Sequence, residues 1–187
     1  EPPIVEDVAP TDGSKAALWA PAVRAPATAS VKSSALNDDT PDWRGTCAIC
    51  LDLLPLENMT RAFYSCCCKK ICTACANKCR QYDQRCPLCR TTVATSYAEY
   101  LRRLQRHVDK GNAEAQVMLG EAYRDGSLGL KTSAKRATRL YELAATQGHA
   151  VAQSQLGYFY QQGQGVKIDR KTAAQWYQRA ADQGYPI

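Results

Sequence analysis

The cysteines constrain the fold of this chain more than any other feature. The sequence contains ten cysteines, all between Cys47 and Cys89, and the stretch SCCCKKICTAC alone holds five of them. Either a disulfide scaffold or a metal site can require thiols at this density. Disulfide-bonded secreted proteins usually spread their bridges along the chain, and no signal peptide or long apolar run is visible at either end. We therefore expect a metal site in a reducing, intracellular compartment, either cytoplasmic or nuclear.

The spacing of the cysteines predicts zinc as the metal. Two thiolates of a C-x2-C pair can converge on one tetrahedral ion about 2.3 Å away. Three such pairs, together with two cysteines from a run of three, supply eight ligands, which is enough for two Zn²⁺ ions. The pairs are Cys47/Cys50, Cys72/Cys75 and Cys86/Cys89, and the run, called the triplet below, is Cys66, Cys67 and Cys68. Because so short a segment has little apolar core, we expect zinc binding and folding to be one event.

The first 44 residues differ in composition from the rest of the chain. They contain six of the nine prolines, and their apolar residues follow neither a helical nor a strand period. They carry seven acidic and four basic side chains, so the segment is acidic on balance. Such a stretch buries too little apolar surface to offset the entropy lost on ordering. Residues 1–44 are therefore predicted to form a disordered tail.

An internal repeat occupies residues 112–187. Positions in its first half recur 37 residues later, and positions in its second half recur 36 residues later. The recurring pairs include Leu119 and Leu156, Gly120 and Gly157, Tyr123 and Tyr160, Tyr141 and Tyr177, and Gly148 and Gly184. The period and the apolar spacing predict two antiparallel helices per repeat, with repeats at 112–148 and 149–185.

A further helix is predicted from about Tyr97, within a capping and linking segment at 93–111. Three of its residues match the second half of a repeat, namely Leu104, Val108 and Gly111. Three basic residues on it either bind an acidic partner or form a solvated helix face, namely Arg102, Arg103 and Arg106. Because the sequence stops where a further repeat would begin and lacks an initiating Met, we expect a fragment of a longer array.

The cysteine segment, residues 45–92, resembles RING-type zinc fingers. In that family the first and third ligand pairs hold one zinc ion, and the second and fourth pairs hold the other. The resemblance implies one ion at Cys47, Cys50, Cys72 and Cys75, and a second ion at two cysteines of the triplet with Cys86 and Cys89. Most RING fingers include a histidine ligand, whereas His107 and His149 lie outside this segment. Both sites are therefore expected to be all-cysteine.

The choice of ligands within the triplet stays open at this point. Alternate residues of an extended strand share a face, which favours Cys66 with Cys68. Alignment with related all-cysteine fingers instead favours Cys66 with Cys67. Cys79 is left over and is interpreted as a small, half-buried thiol.

The resemblance also implies contacts with a ubiquitin-conjugating enzyme and with ubiquitin. RING ligases bind the conjugating enzyme through an apolar residue inside the first C-x2-C pair, here Ile49. They also use a groove beside the last pair, here formed by Pro87 and Leu88. The loop that carries such a pair is called a knuckle below. A cation after the final ligand, here Arg90, bonds to both proteins, and the planar donors of a guanidinium suit this role. Such a ligase positions the charged thioester and has no nucleophile of its own. The structural alternative is that Ile49 only packs in the small core of the finger and that Arg90 is a solvated charge.

The repeats resemble Sel1-like repeats, which are relatives of tetratricopeptide repeats. The fold class expected is thus a small zinc-stabilised α+β RING-like finger followed by an all-α Sel1-like solenoid. One functional hypothesis is a RING-type E3 ubiquitin-protein ligase whose repeats recruit a protein substrate or scaffold. The alternative is a non-catalytic zinc-binding scaffold or adaptor for protein complexes.

Charge gives little indication of nucleic acid as a partner, and the finger lacks the aromatic and basic pattern typical of nucleic-acid binding. The formal net charge of the chain is +6. Each zinc ion bound by four thiolates carries a net charge of −2, so two such sites reduce the total to about +2. The basic excess is therefore too small to indicate binding to nucleic acid, and no membrane segment is visible in the sequence.

Overall fold

The computed structural model describes residues 45–52, 54 and 61–186. The predicted tail, residues 1–44, lies outside the described residues. Within the described part, a cysteine segment with one β-hairpin and one helix precedes five consecutive α-helices. None of the helices in this part combines the length and the apolar composition needed to cross a membrane.

The hairpin of the cysteine segment brings the triplet into a tight turn. Strand β1, Arg61–Tyr64, pairs antiparallel with β2, Lys69–Cys72, and Tyr64 lies opposite Lys69. The backbone N–H of Cys68 donates to the carbonyl oxygen of Tyr64 at 2.8 Å, which closes the turn. The triplet is therefore not part of an extended strand.

Helix α1, Thr73–Tyr82, follows β2 directly. Cys72 caps its N-terminus, and the Cys72 sulfur accepts from the backbone N–H of Cys75 at 3.5 Å. The hairpin, α1 and the flanking loops enclose a small core, as expected for a segment of this length. Its fully or nearly fully buried members are Cys47, Leu54, Ala62, Tyr64, Ile71, Ala76 and Cys86.

The remaining helices form a solenoid in which each packs against the next. Their bounds are α2 Tyr97–Asp109, α3 Ala113–Asp125, α4 Ala134–Thr146, α5 Ala150–Gln162 and α6 Arg170–Ala181. Helices α3 and α4 form one hairpin, and α5 and α6 form a second. This is the arrangement that the sequence period predicts.

The residues that cap the helix ends occupy equivalent positions in the two hairpins. The side chain of Asn112 caps α3, and the side chain of His149, 37 residues later, caps α5. Gly126 and Gly163 adopt left-handed conformations, with φ of 70° and 71°, where α3 and α5 end. Glycine is favoured there because a Cβ raises the energy of this conformation.

Close contact between helices requires a second pair of glycines. A Cβ added at Gly120 would lie 2.9 Å from Tyr141 Cε1, and one at Gly157 would lie 2.9 Å from Tyr177 Cδ1. Such distances are below van der Waals contact, so a Cβ at either position would force the tyrosine ring to shift. The recurrence of both glycines and both tyrosines is thus explained by packing.

Candidate metal centre

Two knuckles of the cysteine segment have the same backbone structure. In the first, the N–H of Leu51 donates to the Cys47 carbonyl at 3.0 Å, and the N–H of Cys47 donates to the Asp52 carbonyl at 2.8 Å. This closed turn aims the thiols of Cys47 and Cys50 toward one point. Leu51 takes a left-handed conformation, with φ of 65°, to complete it.

The last knuckle repeats this pattern. The N–H of Arg90 donates to the Cys86 carbonyl at 2.9 Å, and the N–H of Cys86 donates to the Thr91 carbonyl at 2.8 Å. Arg90 is also left-handed, with φ of 59°. Leu51 and Arg90 therefore occupy equivalent positions, each directly after the second cysteine of its knuckle.

The first group of thiols combines the first knuckle with the start of α1. The sulfurs of Cys47, Cys50, Cys72 and Cys75 all lie within 4.8 Å of one another. The Cys50 and Cys72 sulfurs are 3.9 Å apart. Four sulfurs bound tetrahedrally at zinc's usual bond length are about 3.8 Å apart, so the spacing of this group fits the ion.

The second group combines the triplet with the last knuckle. The sulfurs of Cys66, Cys67, Cys86 and Cys89 again lie within 4.8 Å of one another. The distance is 3.8 Å between Cys67 and Cys86 and 3.4 Å between Cys66 and Cys89. The two groups interleave along the chain, because the first uses the first and third cysteine pairs and the second uses the second and fourth. The structure thus contains two four-cysteine groups that can bind metal.

Cys68 lies outside both groups. Its backbone is left-handed, with φ of 50°, and its side chain is 7% exposed in the apolar core of the solenoid. Burial raises the pKa of its thiol to about 12, which favours the neutral form. The strand-alternation argument for Cys66 with Cys68 assumed an extended backbone, and the tight turn of the hairpin removes that premise.

Hydrogen bonds favour the thiolate at one cysteine of each group. Burial raises the pKa of Cys47, but N–H groups of Cys50, Cys72 and Ile49 donate to its sulfur and lower the pKa to about 6. Burial also raises the pKa of Cys89, whereas the hydroxyl and N–H of Thr91 lower it to about 6. Thiolates are the form that binds metal. All ten cysteines are free of disulfide bonds.

The residues matched to conjugating-enzyme contacts surround the two equivalent knuckles. Ile49 is 40% exposed, although it lies within the first knuckle. Pro87 and Leu88 are half-buried, and Leu88 packs against the small core of the segment. Leu51, which the sequence did not single out, is 75% exposed and follows Cys50 directly.

Arg90 projects from the last knuckle into solvent. Its side chain is 71% exposed, and its Nη1 lies 3.6 Å from Asp83 Oδ2. Asp83 follows α1 and also binds Arg85 at 2.9 Å. Hydrogen bonds from the backbone N–H and side chain of Arg85 lower the pKa of the Asp83 carboxyl, so the anion that holds Arg90 persists at neutral pH.

A recess of about 190 Å³ lies beside Arg90. Its lining consists of Cys79, Tyr82, Asp83, Arg85, Pro87 and Arg90. Sequence reasoning missed Tyr82, which is 90% exposed, and treated Cys79 only as a spare thiol. Helical spacing could have indicated that Cys79 lies near this site, since it comes one turn after Cys75 on α1. Nothing in the local sequence places Tyr82 beside the last knuckle.

The three arginines of α2 differ in burial. Arg102 and Arg106 are exposed, as expected for a solvated helix face. Arg103 is instead 8% exposed and donates hydrogen bonds to the carbonyl of Thr92 and to Glu99. The guanidinium of Arg103 links α2 to the end of the cysteine segment, so its charge is not available to an acidic partner.

The helical repeats match a known family. The model of the Sel1 repeat family matches residues 113–149 and 150–185. These two segments are Sel1 repeats. The expectation drawn from their sequence resemblance is confirmed, and each match covers one helical hairpin of the solenoid.

Curated relatives match over the length of about two Sel1 repeats. Chitin synthase regulatory factor 3 of Schizosaccharomyces pombe is 38% identical over 82 residues, which are 43% of this chain and 9% of that protein. The ERAD-associated E3 ubiquitin-protein ligase component HRD3B of Arabidopsis thaliana is 33% identical over 75 residues, 40% of this chain and 12% of that protein. The chain therefore spans about a tenth of the length of these relatives.

Two solved structures with Sel1 repeats are similar to parts of this chain. The protective antigen c5321 of uropathogenic Escherichia coli is 32% identical and has a TM-score of 0.47, covering 51% of this chain and 20% of the antigen. A Sel1 repeat protein from Oxalobacter formigenes is 34% identical with a TM-score of 0.45, covering 46% of this chain and 65% of that protein.

Proposed function

We propose that this protein is a zinc-dependent E3 ubiquitin ligase of the RING type. The cysteine segment binds a charged ubiquitin-conjugating enzyme, and the Sel1 repeats recruit protein partners. The observation that carries the proposal is the interleaving of the two cysteine groups, with Ile49 and Arg90 exposed on the two equivalent knuckles. The proposal includes an intracellular location, cytoplasmic or nuclear, where the thiols stay reduced.

The residues of both groups fit Zn²⁺. Four convergent thiolates at tetrahedral spacing are the ligand set of structural zinc sites. Such a set leaves no coordination position for water or substrate, so the ions would hold the knuckles in place and take no part in the chemistry. This role agrees with a ligase that acts by positioning.

The exposed residues have separate tasks under this proposal. Ile49, Pro87 and Leu88 offer apolar surface to the conjugating enzyme. The Arg90 guanidinium donates to carbonyl groups of the enzyme and of ubiquitin, restricting the thioester to a reactive geometry. Asp83 holds that guanidinium beside the recess before the partners bind.

The comparisons support a role in the ubiquitin pathway at a coarser level. Sel1 repeats indicate protein–protein interaction, since helical repeats present extended surfaces to partners. HRD3B is named as a component of an E3 ubiquitin-protein ligase, and it shares this type of repeat. We propose that the repeats of this chain likewise select the protein to be modified.

The test is single-turnover discharge of ubiquitin from a panel of charged conjugating enzymes, using the zinc-loaded chain. We expect faster discharge than without the protein, and loss of most of the acceleration in Ile49→Ala and in Arg90→Ala. Both variants should retain two zinc ions by native mass spectrometry, because neither residue supplies a ligand.

Two matched variants serve as controls. Ile168→Ala removes an isoleucine that is 59% exposed in the second repeat, and Arg102→Ala removes an exposed arginine of α2. Both should discharge ubiquitin at the wild-type rate. Equal rates with and without the zinc-loaded protein across the whole panel would contradict ligase activity.

The second candidate function is a non-catalytic zinc-binding scaffold. The ion pair between Arg90 and Asp83 is consistent with it, because an exposed arginine that pairs with a nearby carboxylate is also explained as an ordinary surface charge. The name of the fission-yeast relative, a regulatory factor, also fits a protein that acts through contacts alone. A folded protein with two zinc ions and no discharge activity would support this function over the first.

A further inference from the structure

The cysteine segment contacts the solenoid through the third member of the triplet. Cys68 belongs to the same apolar core as Leu101 and Leu104 of α2, and Phe63 of β1 packs against that core. Cys66 and Cys67, immediately before it, belong to the second cysteine group. One turn of three residues therefore joins the candidate metal site to the solenoid core.

Polar contacts connect α2 to the same region. His107 Nε2 lies 3.2 Å from the carbonyl oxygen of Cys66, so an N–H at this position donates to the backbone of the triplet. Arg103, almost fully buried, donates to the Thr92 carbonyl at the end of the segment. Without the cysteine segment, this arginine would lose one of its two partners.

An ion pair connects the segment to α3. Lys70 Nζ on β2 lies 2.6 Å from Glu114 Oε1, and both side chains are about one-fifth exposed. The other oxygen of Glu114 lies 3.4 Å from His149 Nε2, at the N-terminus of α5. Glu114 thus bridges the cysteine segment, the first repeat and the second repeat.

The end of a solenoid needs a cover for its apolar face. A terminal helix has no neighbouring repeat on its outer side, and an uncovered face destabilises the array. Helix α2 packs on α3, and Phe63 and Cys68 of the cysteine segment join the apolar core that these helices share. The sequence alone assigned the capping role to residues 93–111, whereas these contacts extend the cap to the hairpin.

We propose that the cysteine segment is the N-terminal cap of the solenoid, so that metal binding at the second cysteine group determines the stability of α2 and α3. The inference rests on the proposed binding of zinc, but not on ligase activity. Loss of the ion frees Cys66 and Cys67, the turn opens, and Cys68 leaves the solenoid core. The helices nearest the segment then open more often than α5 and α6.

Hydrogen exchange on the full chain tests this coupling. Amide exchange is measured by mass spectrometry with zinc loaded and after chelation, both in reductant. We expect exchange in α2 and α3 to rise by about tenfold or more on chelation, with a smaller rise in α5 and α6. Unchanged exchange in α2 and α3, with the metal gone, would overturn the proposal.

A pair of serine variants separates the contact from the metal itself. Cys68→Ser keeps all eight grouped cysteines but places a hydroxyl in the apolar core, whereas Cys79→Ser alters a half-buried thiol of α1 outside both groups. With zinc loaded, we expect severalfold faster exchange in α2 and α3 for Cys68→Ser only. Equal exchange in both variants would contradict the coupling.

Zinc content distinguishes the failure of this inference from failure of the metal assignment. Native mass spectrometry of the wild-type chain should give two ions, and fewer would refute the metal sites themselves. Cys68→Ser should also hold two ions. Loss of an ion in that variant would make Cys68 a ligand and would overturn its assignment as a core residue.

Discussion

At the scale of the residue, Cys67 and Cys68 are neighbours with different environments. Cys67 lies 3.8 Å from Cys86 within the second group, whereas Cys68 is buried against the solenoid. The left-handed backbone at Cys68 turns its side chain away from the other two thiols. Identical side chains therefore acquire different chemistry through one backbone angle.

This difference predicts the zinc content of single variants. Cys67→Ser removes a thiolate from the second group only, so we expect the zinc content to fall from two ions to one. The first group shares no ligand with it and should stay loaded. Native mass spectrometry measures the count, with Cys79→Ser as the control that retains both ions. Two ions in Cys67→Ser would show that this thiol is not a ligand.

A second residue-scale prediction concerns Glu114. Burial raises the pKa of its carboxyl, but the hydrogen bond from His149 and the charge of Lys70 lower it to about 2. A lowered pKa means that the ionised form stabilises the fold above the ordinary value of 4.5, and that this contribution is lost as the pH falls toward 2. We expect Glu114→Gln to lower the free energy of unfolding by about 1–3 kcal/mol.

Urea unfolding at pH 7 and pH 5 measures this effect. The deficit of Glu114→Gln should be present at both values, because both lie above 4.5. Glu121→Gln is the matched control on the same helix, since burial raises the pKa of Glu121 and its charge opposes folding. That variant should be neutral or slightly stabilising. A deficit as large as that of Glu114→Gln would contradict the assigned role of the ion pair.

At the scale of the element, the two helical hairpins differ in how firmly their tyrosines are held. Tyr141 is fully buried between α3, α4 and α5, and its ring meets Phe159 edge-on at 5.4 Å between centroids. Tyr177, its equivalent on α6, is only half-buried. A side chain that is enclosed on every face cannot move aside for an added atom.

This contrast predicts unequal effects of one substitution at two equivalent glycines. Alanine raises helix propensity by about 1 kcal/mol over glycine, while overpacking costs about 1–3 kcal/mol. In Gly120→Ala the overpacking term should dominate, because Tyr141 cannot shift, and the variant should be destabilised. In Gly157→Ala the two terms should nearly cancel, because Tyr177 can move. Thermal unfolding measures both, and equal midpoints would contradict the packing argument.

At the scale of the whole molecule, charge depends on the metal. The chain carries a formal net charge of +6, and two sites of four thiolates each would reduce it to about +2. Weak positive charge gives little long-range attraction to phosphate backbones at physiological ionic strength. The folded protein should therefore bind protein partners and not duplex DNA or RNA.

Titration of the zinc-loaded chain with labelled duplex DNA and with RNA checks this expectation. At about 0.15 M salt we expect no saturable binding, because few phosphates can be neutralised. The chelated chain, with its higher net charge, is the internal comparison and should bind more at low salt. Tight binding by the loaded form, with a steep loss as salt rises, would show that the basic residues form a nucleic-acid surface.

The sequence by itself determined the features that depend on short-range spacing. The C-x2-C pairs Cys47/Cys50 and Cys86/Cys89 close the same local turn, so these two knuckles and the supply of eight thiols follow from local order along the chain. The period of 36 to 37 residues likewise predicted the helical hairpins, since each repeat buries the same face on its neighbour. The Sel1 repeats, which the family comparison confirmed, are one of these features.

The tertiary structure decided what depends on residues distant in sequence. The turn between β1 and β2 separates Cys68 from Cys66 and Cys67, and the docking of α2 buries Arg103. Glu114 pairs with Lys70, 44 positions earlier, and with His149, 35 positions later. Periodicity and motif spacing carry no information on these contacts, because they arise only when the cysteine segment packs on the solenoid.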